Sequence, residues 1–341
     1  MERKHQEYKV KKKRQEEIRK GKWMQLHQPV LLERCIALLT PSIEKSLAKK
    51  NQPVVIDATL GLGGHTHELL SRFPQLKVIG IDRDKSAIEK TEARLKEFSG
   101  RFTIVHAVYD QIPEVLNSLG FSHVDGILFD LGVSSMQLDF AERGFSYSQQ
   151  APLDMRMDQS SSLTADFVLN TYSHSDLARI IRTYGEERFA NAIAANIVKA
   201  RSENRLKTTT DLAELVKASI PAPARRFGGN PAKRTFQALR IEVNNELKVL
   251  ERAIPAGLDA LVVGGRMVVM SYQSLEDKIV KKIFQDRTES KSPKGLPIEL
   301  KEFAPRFTLV FRGSETASES EIAENPRAQS VRLRAIERSA A

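Results

Sequence analysis

Apolar and polar positions follow two different periods along residues 53–131. Four short apolar runs rich in β-branched residues predict strands. The segments between them repeat apolar positions every three to four residues, as amphipathic helices do. The predicted strands are Val54–Ala58, Lys77–Asp82, Phe102–His106 and Val124–Asp130, and the predicted helices are His65–Phe73, Asp84–Phe98 and Gln111–Leu119. Because strands that alternate with helices form parallel sheets with right-handed crossovers, we predict a Rossmann-like, doubly wound α/β domain.

The pattern changes after the fourth predicted strand. Strand character returns only at Ala260–Val263 and Gly265–Tyr272, which Gly264 separates, and finally at Arg306–Phe311. Between them the predicted helices are Thr164–Tyr172, Ser175–Tyr184, Glu186–Arg201, Thr210–Ser219 and Arg234–Ala253. We therefore predict a basic arm at 1–22, a sheet domain at 23–139 and 251–312, an all-helical insertion at 140–250 and a tail at 313–341. The insertion leaves from the carboxyl edge of the sheet, where such folds bind ligands, so it is placed to hold a substrate.

Charge and cysteine usage narrow the class of protein. The 341 residues carry a formal net charge of +10, which favours a polyanionic partner such as nucleic acid. The basic arm is either a solvated tail or a nucleic-acid contact. The single cysteine, Cys35, lies in an amphipathic helical pattern and is predicted to be a core residue. Without a disulfide framework, a secretion signal or a membrane-length apolar run, we expect a cytoplasmic protein and no membrane partner.

A glycine-rich turn follows the first predicted strand and indicates a ligand site. Asp57 ends that strand, and Gly61 and Gly63 follow it in the turn. A dinucleotide-binding fingerprint needs a third glycine where Thr66 stands. The order Asp-x-x-x-Gly-x-Gly-Gly is instead similar to the first motif of S-adenosylmethionine-dependent methyltransferases. Asp82, at the end of the second predicted strand, suits ribose hydroxyls. A tight turn with no ligand is the alternative.

Candidate catalytic and substrate-binding residues lie at the ends of two later predicted strands. Asp130 ends the fourth predicted strand. A carboxylate there can accept a hydrogen bond from an amine that is being methylated, and can take its proton. Contact with the cofactor alone, or a purely structural capping role, are the alternatives. Tyr272 and Ser274 follow the fifth predicted strand at the same edge, where they either line a substrate pocket or cap the predicted helix Lys278–Phe284.

Two basic clusters are candidates for RNA contacts. Arg143 and Arg156 lie among aromatic and methionine residues at the start of the insertion, and they bind either phosphates and bases or internal carboxylates. A second cluster precedes or opens the last predicted helix of the insertion and forms either a phosphate clamp or a solvated loop. Its members are Arg225, Arg226, Lys233 and Arg234. The sequence shows neither a metal-ligand array nor a hydrolase triad.

The motifs together resemble the RsmH (MraW) family of ribosomal RNA small-subunit methyltransferases. The resemblance runs from His27 to Arg327 and is carried by residues 130–139, 143–146 and 152–158. It implies a Rossmann-like S-adenosylmethionine-dependent methyltransferase sheet with an inserted all-helical substrate domain. It also implies methylation of cytidine N4 in the decoding region of 16S rRNA, on the small ribosomal subunit or its rRNA. The oligomeric state, monomer or homodimer, stays open. The cofactor contacts that it implies are Gly63, Gly64, His65, Asp82, Tyr109, Asp130 and Gln137.

The chain departs from the family pattern at three places. Gln273 stands where the family commonly has histidine, so no catalytic base is available there. Gln329 stands where a second basic residue is usual, and the basic arm is extra. Two other functions are compatible with the residues: methylation of a different nucleic acid, and non-catalytic ribosome assembly.

Overall fold

A computed structural model describes residues 29–134, 137, 140–203, 206–226, 229–292 and 303–341. The strands are β1 (Val54–Asp57), β2 (Lys77–Asp82), β3 (Phe102–His106), β4 (Val124–Asp130), β5 (Leu261–Ser271), β6 (Phe307–Leu309) and β7 (Arg332–Arg338). The α-helices are α1 (Leu32–Ala48), α2 (Gly64–Arg72), α3 (Lys85–Arg94), α4 (Ile112–Ser118), α5 (Ala165–Thr171), α6 (His174–Gly185), α7 (Ala190–Ser202), α8 (Thr209–Ser219), α9 (Lys233–Asn244), α10 (Glu246–Asp259), α11 (Ser274–Thr288) and α12 (Glu319–Glu324). Short 3-10 helices lie at Lys96–Phe98, Tyr109–Gln111, Ala141–Arg143, Ala222–Arg226 and Pro326–Ser330.

The strands form one sheet in the order β3-β2-β1-β4-β5-β7-β6. Neighbouring strands from β3 to β5 are parallel, whereas β7 is antiparallel to both β5 and β6. The strand order reverses at β1, which pairs with β2 on one side and with β4 on the other. The carboxyl ends of these strands therefore flank the crevice in which doubly wound folds bind ligands. The prediction of a Rossmann-like α/β fold is confirmed, and the predicted bounds of β2, β3 and β4 are those observed.

Gly264 does not break the fifth strand, contrary to the prediction. Val124 of β4 pairs with Leu261, but Gly126 pairs with Arg266, so β5 contains extra residues at this point. Gly264 has a φ of +89°, and a Cβ added there would lie 2.2 Å from Nζ of Lys45. The strand therefore continues through a bulge that only glycine accommodates.

The predicted tail belongs to the sheet. Strand β7 inserts between β5 and β6, with Leu333 paired to Met270 and Ala335 paired to Val268. A domain boundary at 312 is therefore wrong, because the tail supplies a strand that is paired on both sides within the sheet. The last predicted strand is also shorter than expected, since β6 covers only residues 307–309.

The helices α5–α9 form a bundle with a hydrophobic core of its own. Several of these helices begin at side-chain caps: Thr164, Ser173 and Thr208 each accept the backbone N–H of the residue three positions later. Buried members of this core include Met155 and Leu239. The bundle confirms the prediction of helices in the insertion, and among the described residues they occupy the stretch from 165 to 244.

The predicted helix Arg234–Ala253 is two helices, and the predicted end of the insertion at 250 is wrong. Asn245 adopts a φ of +52° and separates α9 from α10. Helix α10 packs on the sheet, because Leu250 and Ile254 share a core with Ile127 of β4. The bundle core thus ends in α9.

On the other face of the sheet, Cys35 of α1 is fully buried, and its sulfur lies 3.6 Å from that of Met270. This confirms its prediction as a core residue. In the part of the chain that the structure describes, no helix is long and apolar enough to cross a membrane. The basic arm at 1–22 lies outside that part.

Candidate active site

The glycine-rich turn between β1 and α2 is fixed by tight packing. Gly63 has a φ of +68°, and a Cβ added there would lie 2.7 Å from a side-chain carbon of Thr91. At Gly64 an added Cβ would lie 2.3 Å from Pro29. The Asp57 carboxylate is buried beneath the turn and accepts the Thr66 hydroxyl at 2.7 Å. Asp57 therefore supports the turn, and the two glycines let it pack closely; Gly64 also lines the neighbouring cavity, whereas Gly63 does not.

Asp82 lies where the sequence predicts a ribose ligand. One carboxylate oxygen accepts the backbone N–H of Gly61 at 2.7 Å, and the other accepts that of Asp84 at 2.8 Å. Burial raises the pKa of Asp82, and the two backbone donors oppose that rise. Because each carboxylate oxygen accepts more than one hydrogen bond, both retain capacity for a hydroxyl donor in the cavity that Asp82 lines.

A buried network connects the loops after β2 and β4. Asp84 caps α3, and its second oxygen accepts Nη1 of Arg143 at 2.9 Å and the amide nitrogen of Gln137 at 3.2 Å. Arg143 also donates to the backbone oxygens of Arg156 and Met157. The prediction that Arg143 contacts substrate is therefore wrong, because its guanidinium is buried inside the protein. The sequence left open whether Arg143 binds RNA or an internal carboxylate, and the structure shows the internal ion pair.

Arg156 is also turned inward. Its guanidinium forms a bidentate pair with Asp154 at 2.9 and 2.7 Å and donates to the backbone oxygens of Gln159 and Ser161. The loop of residues 154–161 thus folds around its own arginine. The predicted substrate contact of Arg156 is not supported, since its donors are used within this loop.

A cavity of about 430 Å³ lies at the carboxyl edge of the sheet. The sheet side of its lining includes most of the predicted cofactor contacts, namely Gly64, His65, Asp82, Tyr109, Asp130 and Gln137. The opposite side comes from the helical insertion and includes Tyr147, Lys233, Phe236, Gln237 and Arg240. Arg327 and Ser330 reach the cavity from the C-terminal segment. The cavity therefore joins the two parts of the chain.

His65 is buried in this lining, and Tyr109 is half-buried there. His65 Nε2 is 3.1 Å from the backbone oxygen of Val30, and burial lowers the pKa of His65, which favours a neutral imidazole. The ring of Tyr109 contacts Phe129 edge-on, with centroids 5.6 Å apart. Burial raises the pKa of Tyr109, so its phenol stays protonated. Tyr109 thus offers an aromatic surface and one hydroxyl donor after β3.

Asp130 and Tyr272 are joined across the ends of β4 and β5. The Tyr272 hydroxyl donates to Oδ1 of Asp130 at 2.7 Å, and Thr59 accepts the Asp130 backbone N–H at 2.6 Å. Burial raises the pKa of Asp130 to about 6, although the Tyr272 hydrogen bond lowers it. No described residue donates to Oδ2. Asp130 is therefore an ionised acceptor at neutral pH with one oxygen available to a ligand.

The second basic cluster divides between the cavity and the surface. Lys233 is exposed and lines the cavity at the start of α9. Arg234 faces Glu186 and Glu187 instead, and Arg225 donates to the backbone oxygen of Ile220 at 2.6 Å. The side chain of Arg226 lies outside the described part. Of the predicted cluster, Lys233 thus lines the cavity, and its contact with substrate stays a prediction.

Ser274 does not line the cavity. Its hydroxyl donates to the carboxylate of Glu186, which also accepts Nζ of Lys278. The contact links α11 to the loop after α6, so Ser274 is a surface contact between two parts of the protein.

Several charged residues of the lining are not among the predicted site residues, and three of them lie close together. Arg240 donates to both carboxylate oxygens of Glu246, at 2.9 and 3.0 Å, and Glu276 lies buried nearby. Glu276 follows Gln273 by three residues, which is the spacing of a capping box. This spacing is a sequence signal from which the role of Glu276 could have been predicted. Arg240 falls seven residues after Lys233, on the same face of α9. Only the folded chain reveals the Arg240–Glu246 pair.

Known proteins match almost the whole chain beyond the arm. The sequence profile of the MraW methylase family matches residues 24–339. The chain belongs to the MraW methylase family. This membership confirms the resemblance seen in the motifs, and the chain is therefore a methyltransferase.

Individual members of the MraW family are similar over nearly their full length. Proteins named ribosomal RNA small subunit methyltransferase H from Pseudarthrobacter chlorophenolicus and Renibacterium salmoninarum are each 57% identical over 312 residues, covering 92% of this chain and 94% of the relative. A relative of the same name from Mycobacterium leprae is 53% identical over 316 residues, covering 92% of this chain and 85% of the relative. Among solved structures, an rRNA methylase from Streptococcus thermophilus is 13% identical with a TM-score of 0.37, covering 84% of this chain and 87% of that chain.

Proposed function

We propose that this chain transfers a methyl group from S-adenosylmethionine to the exocyclic N4 amine of a cytidine in the decoding region of 16S rRNA. It acts in the cytoplasm on the small ribosomal subunit or its rRNA. The position of Asp130 is the observation that supports this proposal. Its carboxylate lies in a cavity between the glycine-rich turn and the insertion helix α9. Methylation of an amine needs a group that accepts a hydrogen bond or a proton from that amine. This group must lie between the two sides of the cavity, where the amine and the methyl group are aligned.

The sheet side of the cavity fits S-adenosylmethionine. Asp82 has oxygen capacity for two ribose hydroxyls, and Tyr109 offers an aromatic surface for the adenine. Gly63 and Gly64 let the turn approach the amino-acid end, with His65 and Gln137 beside it in the proposed site. When bound, the cofactor supplies an electrophilic methyl group on a sulfonium sulfur.

Asp130 acts on the amine of the base. The amine nitrogen of cytosine is a weak nucleophile, because its lone pair is delocalised into the ring. Asp130 Oδ2 accepts one N–H of this amine, which orients the nitrogen and helps it to become pyramidal. Tyr272 holds the other oxygen of the same carboxylate. As the nitrogen is methylated it releases one proton, which Asp130 receives.

The insertion supplies the RNA side. Lys233, Phe236 and Arg240 project from one face of α9 into the cavity, and the ring of Tyr147 contacts Phe236 edge-on at 5.8 Å between centroids. Aromatic rings stack on bases, and a lysine at the mouth attracts phosphate. A base must leave its stack to reach Asp130, so the substrate is a flipped or single-stranded cytidine.

The test is methylation of defined substrates by the purified protein. Small subunits from a strain that lacks the endogenous enzyme should gain N4-methylcytidine at one decoding-region position, mapped at base resolution with labelled S-adenosylmethionine. Duplex DNA and mature, already methylated subunits are the controls. Methylation of DNA, or of a different base, would assign another nucleic-acid substrate. Tight binding to subunits without any turnover would support an assembly factor.

A further inference from the structure

Glu276 holds the turn that carries Tyr272. It is 3% exposed, and among the described residues its carboxylate accepts hydrogen bonds from residues 272 and 273. Its Oε2 accepts the backbone N–H of Tyr272 at 2.9 Å and that of Gln273 at 3.2 Å, and its Oε1 accepts the amide nitrogen of Gln273 at 2.8 Å. A capping box explains the bond from the backbone N–H of Gln273. It does not explain the bond to Tyr272, which lies outside the helix.

Tyr272 connects Glu276 to Asp130. Its backbone is held by Glu276, and its hydroxyl donates to Oδ1 of Asp130 at 2.7 Å. The ring packs on the loop after β4, since a Cβ added at Gly132 would lie 3.9 Å from Cδ2 of Tyr272. Burial and the Asp130 charge raise the pKa of Tyr272, so the phenol remains a donor. The hydroxyl therefore occupies one defined oxygen of the carboxylate.

The insertion places a positive charge beside Glu276. Burial raises the pKa of Glu276, and the positive charge of Arg240 opposes that rise. Arg240 is itself fixed by its bidentate pair with Glu246. All three side chains line the same cavity as Asp130.

We propose that Glu276 and Tyr272 are positioning residues that act in series, so that Asp130 meets the target amine with Oδ1 occupied and Oδ2 available. The proposal rests on the proposed function only for the identity of the amine. Within the protein, it states that removing Glu276 affects Asp130 through Tyr272 and through no separate route.

The first measurement is the titration of Asp130 itself, followed by carboxyl ¹³C NMR in the full-length protein without substrate. Because the Tyr272 hydroxyl lowers the pKa of Asp130, Tyr272→Phe should raise it by about one pH unit. Glu276→Gln should raise it by a smaller amount. The other titratable groups that act on Asp130 are Asp57 and Cys35, which every variant retains. If the pKa of Asp130 were unchanged in both variants, the proposal that Glu276 and Tyr272 act in series would be overturned, whatever the substrate proves to be.

The second measurement is turnover on small subunits across pH. Tyr272→Phe and Glu276→Gln should each lower kcat about tenfold and move the acidic limb of the profile upward, with little change in the Kd of the cofactor. Adding Glu276→Gln to Tyr272→Phe should lower kcat by less than a further twofold, because the effects of two residues that act through one chain of contacts are not additive. Asp277→Asn, which alters the neighbouring carboxylate that pairs with Arg334, is the matched control. Multiplicative losses in the double variant would show that Glu276 acts separately and would overturn the proposal.

Discussion

Arg143 and Asp84 form a buried ion pair of 2.9 Å across 59 residues of sequence. The pair links the cap of α3 to the loop that follows β4, and Gln137 shares the same carboxylate. A motif that suggests RNA binding in the sequence is thus part of the internal support of the proposed cofactor site.

Arg143→Ala should therefore destabilise the protein. Removing one partner of a buried pair leaves an uncompensated charge and costs about 3–5 kcal/mol of unfolding free energy. Urea unfolding measures the loss, and cofactor affinity should fall with it because Gln137 loses its fixed neighbour. Arg179→Ala, at an exposed arginine of α6, is the control and should change stability little. A fully stable Arg143→Ala variant with a raised KM for RNA would instead favour substrate contact.

Asp82→Ala should weaken cofactor binding. Hydrogen bonds from hydroxyls to a carboxylate contribute about 1.5–3 kcal/mol, so the Kd should rise roughly tenfold to over a hundredfold. Calorimetry with S-adenosylmethionine measures this change directly. Glu92→Ala, on the exposed side of α3, is the control. If both variants bind as the parent does, the ribose assignment fails.

Much of this site could be predicted because it is encoded locally. The acidic ends of β2 and β4 and the glycine-rich turn each occupy a short segment with its own pattern. Strand β7 was not predicted, although arginines alternate with apolar residues at its start as they do in half-buried strands. The alternating run is short, and its partner β5 is remote in sequence. The buried state of Arg143 was equally invisible. An arginine beside aromatics has the same pattern whether its partner is a phosphate or, as here, the distant Asp84.

Asp130→Asn should lower turnover more than cofactor affinity. The amide keeps the shape and one acceptor, but it cannot take a proton from the amine. General-base contributions suggest a fall in kcat of about a hundredfold or more. Single-turnover assays on small subunits at saturating cofactor measure the chemical step, and calorimetry monitors the cofactor. Turnover near that of the parent would mean that alignment alone suffices.

The same substitution should stabilise the protein above pH 6. Burial raises the pKa of Asp130 from its ordinary value of 3.8 to about 6, so the folded state binds this proton more tightly than the unfolded state does. The ionised carboxylate therefore destabilises the fold, increasingly from pH 3.8 to 6 and constantly above. Asp130→Asn should exceed the parent in unfolding free energy at pH 8 and lose this advantage near pH 4. Asp286→Asn, at an exposed site of α11, should give no such pH dependence; if both variants behave alike, Asp130 is not the cause.

Lys233→Ala should weaken RNA binding, whereas Arg225→Ala should not. Lys233 is exposed at the mouth of the cavity, but Arg225 donates to the backbone oxygen of Ile220. Losing one phosphate contact reduces the slope of log affinity against log salt by about one and leaves cofactor affinity unchanged. KM for small subunits, measured between low and physiological salt, should therefore rise for Lys233→Ala most strongly at low salt. Equal salt slopes for the parent and both variants would make the start of α9 a solvated surface. A reduced slope for Arg225→Ala alone would move the phosphate contact to the preceding loop.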